Sequence, residues 1–219
     1  MKQAAAHAAI AHVPDGCVVG VGSGSTVNFF ITELGRIRHR VDSAVAASEA
    51  SAKRLKELGI RVVDLNGVNE LPVYVDGADE ITRHLAMIKG GGGALTREKL
   101  VALAAREMIV VADASKAVAR LGVAFPLPIE ILPFGHQHTL RRLAQWGEPR
   151  LRLKDRKPFI TDNAGFIVDL RLPNGVAAAD AARLEASIKA VPGVVECGLF
   201  CNIARRIILG HANGQVEVR

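Results

Sequence analysis

The chain has 219 residues, 49% of them hydrophobic and only 4% aromatic, with 21 glycines and a formal net charge of +6. That length fits one domain or two, and the apolar content excludes a disordered or fibrous chain while leaving Val, Ile, Leu and Ala to fill the core. The basic residues are scattered and no run interleaves them with aromatics, which sets aside binding that stacks bases on aromatic faces. Residues 2–12 read as a short helix stopped by Pro14, Asp15 and Gly16. Residues 17–21 are an apolar, β-branched run, the pattern of a buried strand. It leads into Gly22-Ser23-Gly24-Ser25-Thr26 and then a helix with Val27, Phe30, Ile31 and Leu34 on one face.

Further strands are expected at 41–47, 60–65, 73–75 and 108–112, with helices at 52–58, ended by Gly59, and at 96–106. Apolar strands alternating with helices predict an α/β fold with a doubly wound, Rossmann-like and mostly parallel sheet. The pattern changes near Phe125-Pro126-Leu127-Pro128. Strands at 129–132, 150–154 and 194–199, a hairpin of 159–161 with 166–170, and helices at 138–146 and 178–191 read as βαββαβ with a hairpin, a small ferredoxin-like α+β domain. Residues 206–209 and 216–218 flank Ala212-Asn213-Gly214 as a terminal hairpin. The expected division is a catalytic domain of residues 1–124 plus 200–219 and a small domain of residues 125–199.

Cys17, Cys197 and Cys201 lack the two-residue spacing of a zinc or redox pair, and His136 and His138 have no acidic or Cys partner at ligand spacing. No metal site is expected. No stretch approaches the ~20 apolar residues of a membrane span, and residues 1–13 lack the apolar core of a signal peptide. The expected setting is the cytoplasm.

Four strand ends carry candidate chemistry. The turn Gly22 to Thr26 sits between a strand and a helix, where glycine amides, hydroxyls and a helix N-terminus converge on an anion. It departs from both the dinucleotide fingerprint and the nucleotide P-loop, and it reads either as a phosphate cradle or as a plain strand-to-helix link. Asp76-Gly77-Ala78-Asp79 follows an apolar strand and offers two carboxylates to sugar hydroxyls, although Asp and Gly also favour turns for local reasons. Lys89-Gly90-Gly91-Gly92-Gly93 costs chain entropy that a loop folding closely around a ligand would justify, and it brings amides and a cation to a developing oxyanion. Glu98 lies in the first turn of the next helix, as a base or as a partner of the helix dipole. Asp113-Ala114-Ser115-Lys116 ends another strand. The convergence of these groups points to a small anionic substrate.

These segments resemble the ribose-5-phosphate isomerases of type A. The matching stretches are 20–26 (GVGSGST), 74–81 (YVDGADEI), 87–99 (MIKGGGGALTREK), 112–116 (ADASK) and 192–200 (PGVVECGLF), in order along nearly the whole chain. The resemblance implies interconversion of ribose 5-phosphate and ribulose 5-phosphate within the pentose phosphate pathway. It implies no metal or organic cofactor, a sugar-phosphate ligand, and a homodimer or dimer of dimers. By position, Ser23, Gly24, Ser25, Thr26, Asp76, Gly77, Ala78, Asp79, Lys89, Gly90, Gly91, Gly92 and Lys116 would bind substrate. Glu98 would accept the proton, with Asp76, Asp79 and Lys89 assisting. Ser23 stands where the family often has Thr, and Gly93 where Ala is common. The family's N-terminal lysine corresponds only to Lys2. Schiff-base chemistry at Lys89 or Lys116, and a sugar-phosphate sensor without activity, are the alternatives for the same residues.

Overall fold

The computed structural model describes residues 1–219. The chain divides into two compact units: Met1–Ala78, Arg97–Lys116 and Ile203–Arg219 form the first, and Asp79–Thr96 with Ala117–Asn202 form the second. These boundaries differ from the sequence division, because residues 79–96, 117–124 and 200–202 fold with the second unit. Met87–Ile88 pairs with Leu199–Phe200 and Glu80–Ile81 in a three-stranded antiparallel sheet, and buried Glu80 accepts from the amides of Gly122 and Phe125.

The first unit is built on a six-stranded sheet in the order Val216–Val218, Ala204–Gly210, Ala105–Asp113, Leu71–Asp76, Cys17–Val21, Val41–Ala46. All pairings are parallel except that of the terminal hairpin. Numbered along the chain, the parallel strands stand in the order 2-1-3-4-5, a doubly wound arrangement whose direction reverses between the first and third. Val19, Val21, Val73 and Val75 are buried there, as β-branched strands covered by helices require. Helix α1 (Lys2–Ala9) buries Ala5, Ala6 and Ala9, and helix α2 (Ser25–Arg36) buries the expected stripe of Val27, Phe30, Ile31 and Leu34. Helix α3 (Glu49–Glu57) is capped by the Ser48 hydroxyl and followed by Gly59 at φ +76°.

Two expectations fail here. Residues 60–65 form no strand: only Val62 bridges to Ala44 at the sheet edge, and a 3₁₀ turn over Leu65–Gly67 follows. Helix α4 (Leu95–Ala104) ends two residues early, because Ala105 already pairs with Leu71 and the strand runs on from there.

In the second unit, Val194–Cys197, Leu127–Ile131, Phe166–Arg171 and Glu148–Leu151 form a four-stranded antiparallel sheet in that order. Helices α5 (His136–Leu143) and α6 (Ala178–Lys189) complete βαββαβ, with the 4-1-3-2 strand order of a ferredoxin-like domain. Residues 159–161 are not a strand. The short hairpin there pairs Leu153–Lys154 with Lys157–Pro158, and Ile160 only bridges to Phe166. No helix of the chain is long and apolar enough to cross a membrane.

Candidate active site

The reversal of strand order puts the ends of Cys17–Val21 and Leu71–Asp76 side by side, where open α/β sheets bind ligands. Gly22 follows the first of these strands, and a Cβ there would lie 1.9 Å from the Asp76 Cγ, so only glycine admits the buried carboxylate. Gly24, at φ +97°, caps α2 with no side-chain hydrogen bond, and a helix start of this kind suits an anion. Ser25 accepts a hydrogen bond from the Lys2 ammonium at 2.9 Å, which brings the N-terminal lysine of α1 to this turn. Thr26 is buried beside it.

Asp76 is fully buried and heavily bonded. Its Oδ1 accepts from the Ser23 amide at 3.0 Å and the Gly77 amide at 2.7 Å, while its Oδ2 accepts from the Tyr74 hydroxyl. Ser23 in turn donates its hydroxyl to Glu98 Oε1 at 2.5 Å. Glu98 is 4% exposed, in the first turn of α4. Burial, followed by the charges of Asp76 and Glu98, pushes the Tyr74 phenol well above its ordinary 10, so it stays a donor. Tyr74, Asp76, Ser23 and Glu98 thus form one continuous polar network. Asp113 ends the neighbouring strand. Burial pushes its carboxyl up, but the Ser115 hydroxyl and the Lys116 and Lys2 charges outweigh that and hold it below the usual range.

The glycine-rich segment belongs to the second unit and follows an antiparallel strand, not a strand of the parallel sheet. The expected set of four strand ends is therefore three ends of one parallel sheet and one strand of a separate small sheet. Lys89 is 3% exposed, its amide donates to the Gly198 carbonyl, and its ammonium lies 5.4 Å from the Phe200 ring centroid. Gly90 to Gly93 close a turn through the Gly93 amide and the Gly90 carbonyl. Asp79 accepts from the Gly91 amide at 2.7 Å, and its own amide donates to Ile88.

Of the expected residues, the first unit gathers Ser23, Asp76 and Glu98 in one network, Ser25 with Lys2, and Lys116 beside Asp113. The second gathers Asp79 with the turn that follows Lys89. One member of the Ser23–Asp76–Glu98 network went unread in the sequence, Tyr74. Tyr74 had a signal, since residues two apart on a strand share a face. No three His, Cys, Asp or Glu side chains come together as a metal-ligating group.

The family model for ribose 5-phosphate isomerase A (phosphoriboisomerase A) matches residues 43–214. The chain is similar to the ribose 5-phosphate isomerase A of Methanocaldococcus jannaschii, at 38% identity and a TM-score of 0.92, with 100% of this chain and 97% of that one covered. It is similar to the ribose 5-phosphate isomerase A of Neisseria gonorrhoeae, at 40% identity and a TM-score of 0.91, over 99% of this chain and 94% of that one. A D-ribose-5-phosphate isomerase in complex with phospho-erythronic acid matches at 34% identity and a TM-score of 0.92, over 100% of this chain and 96% of that one.

Proposed function

The chain belongs to the ribose 5-phosphate isomerase A family, a family of aldose–ketose isomerases, and from that premise we propose that it interconverts ribose 5-phosphate and ribulose 5-phosphate through an enediolate, with Glu98 as the base. Moving the carbonyl between C1 and C2 requires one group to take a proton from one carbon and return it to the other. A carboxylate does this without leaving its place. The observation that carries the assignment is the position of Glu98: buried in the first turn of a helix, with Oε1 fixed by the Ser23 hydroxyl at 2.5 Å.

The amides opening α2, with Ser25, Thr26, Lys2 and Lys116, take the phosphate in this reading, because dipole and cations there have one sign. Asp76 holds Ser23 and Gly77 in register, and Asp79 orients hydroxyls. Lys89 and the amides of Gly90, Gly91 and Gly92 neutralise the enediolate oxygen; chain order and the family resemblance support that assignment. Phospho-erythronic acid, bound by the related enzyme, joins a phosphate to a planar, anionic carboxylate, which is the shape and charge of an enediolate. Its presence there supports the same intermediate here. The reading includes no metal or organic cofactor, a cytoplasmic role in the pentose phosphate pathway, and assembly as a homodimer or dimer of dimers.

Glu98→Gln tests the base. It preserves shape and removes the proton acceptor, so turnover of ribose 5-phosphate, assayed in the presence of a chelator, should fall by roughly 10²–10⁴-fold with KM little changed. A Glu98→Gln enzyme turning over at the wild-type rate would end the assignment.

A further inference from the structure

The turn from Gly90 to Gly93 has an unusual problem, because four successive glycines lose more freedom on ordering than any other sequence would. Nothing within the turn compensates except the single bond from the Gly93 amide to the Gly90 carbonyl. From outside the turn, Asp79 holds the Gly91 amide, and the carbonyls are held by Arg152, some sixty residues later. Its Nη1 donates to the Gly90 carbonyl and to the Gly91 carbonyl, each at 3.0 Å. The rest of the guanidinium is held by Asp169, which accepts from Nε at 2.9 Å and from Nη2 at 2.5 Å. Both side chains are largely buried, at 15% and 24% exposure; the bond to the Gly90 carbonyl is part-buried, while that to the Gly91 carbonyl is exposed. The Arg152 backbone is fixed as well: its amide donates to Ile167 and its carbonyl accepts from Phe159.

Phe159 completes the arrangement. Its ring lies 5.9 Å from the Arg152 guanidinium, and a Cβ on Gly93 would stand 2.4 Å from its Cε1. Gly93 also has φ +79°, a backbone conformation that favours glycine, and its open face lies against the ring.

We infer that Arg152 is a positioning residue for the substrate loop: by holding the carbonyls of Gly90 and Gly91 it keeps the turn in its binding conformation before substrate arrives. The inference rests on the reading that Lys89 to Gly92 touch substrate. An arginine suits the task because one planar fork can satisfy a carboxylate with two donors and still offer a third to backbone oxygens. Without it the turn samples many conformations, and apparent affinity falls by the fraction of time the competent one is occupied.

The test compares Arg152→Met and Arg152→Lys with the wild type, in steady-state kinetics with ribose 5-phosphate and in amide hydrogen exchange. For Arg152→Met, KM should rise roughly tenfold, with kcat within roughly threefold of wild type, because ordering the loop is paid at binding. Amides of residues 90–93 should exchange faster while those of the six-stranded sheet do not. Arg152→Lys should recover part of the KM, since its ammonium retains donors for the carbonyls. Should Arg152→Met fold poorly, Asp169→Asn keeps the guanidinium but loosens its anchor, and KM should rise by a smaller factor. Variants with wild-type KM overturn the inference, including any whose loss lies only in kcat, as a reduced folded fraction would produce. The base assignment is judged separately, on the turnover of Glu98→Gln.

Discussion

Replacing Tyr74 by Phe removes one oxygen from the middle of the Tyr74–Asp76–Ser23–Glu98 network and leaves the ring in place. Both Tyr74 and Asp76 are 0% exposed, so no bulk water can take over the lost bond to Oδ2. Hydrogen bonds to charged groups contribute about 1.5–3 kcal/mol, and the buried setting puts this one in that range. At about 2–4 °C per kcal/mol for a chain of this size, the melting temperature should fall by about 3–12 °C. The effect on catalysis is a second, separable quantity. Asp76 would still accept from the Ser23 and Gly77 amides at Oδ1, so the carboxylate keeps its place but loses its rotational lock. Ser23, which holds Glu98, loosens with it, and kcat should drop roughly tenfold, equivalent to about 1.4 kcal/mol of barrier. Calorimetry and a coupled isomerase assay read the two effects. A Tyr74→Phe enzyme with unchanged melting temperature and unchanged kcat would refute the claim that the phenol organises this site. The alkaline limb carries the sign of the phenol's titration. Its folded pKa lies well above 10, so the unfolded state loses this proton first, and the contribution present below pH 10 is lost as pH rises above it. Tyr74→Phe should lack that component.

Thr26→Val keeps the shape of the buried side chain at the start of α2 and deletes its hydroxyl. KM for ribose 5-phosphate and the inhibition constant of inorganic phosphate should both rise, by roughly tenfold for one lost bond to a charged ligand, with kcat little changed; equal constants in the two enzymes would place the phosphate elsewhere. Glu33, buried on α2, accepts from His7 and from Arg36, and these hold its carboxyl below the usual range despite burial. The unfolded chain therefore binds this proton first as pH falls, and stability is lost below about pH 4.5. Glu33→Gln should flatten that acid loss in urea melts between pH 3 and 6, and an unchanged slope would contradict the ion-pair assignment.

Much of this protein was legible along the chain because it depends on neighbours in sequence. The β-branched runs, the stripe of Val27, Phe30, Ile31 and Leu34, and the glycines ending α3 and opening α2 are local patterns of period and conformation. The candidate residues also fall at strand and helix ends, so Ser23, Asp76 and Glu98 could be picked out before their contacts were known. What pairs with what was decided only by the fold. Residues 60–65 have the composition of a strand, yet the sheet edge takes a single bridge at Val62, because a strand needs a partner as well as a pattern. Ala105 reads as helix but forms strand, since Leu71 was waiting beside it. The direction of the glycine segment, the bond from Ser23 to Glu98, and the grip of Arg152 on Gly90 and Gly91 join positions 61 to 75 residues apart. No periodicity spans such distances, and hydrogen-bond geometry within one turn or one buried carboxylate is settled only when the packed elements bring those atoms within about 3 Å of each other.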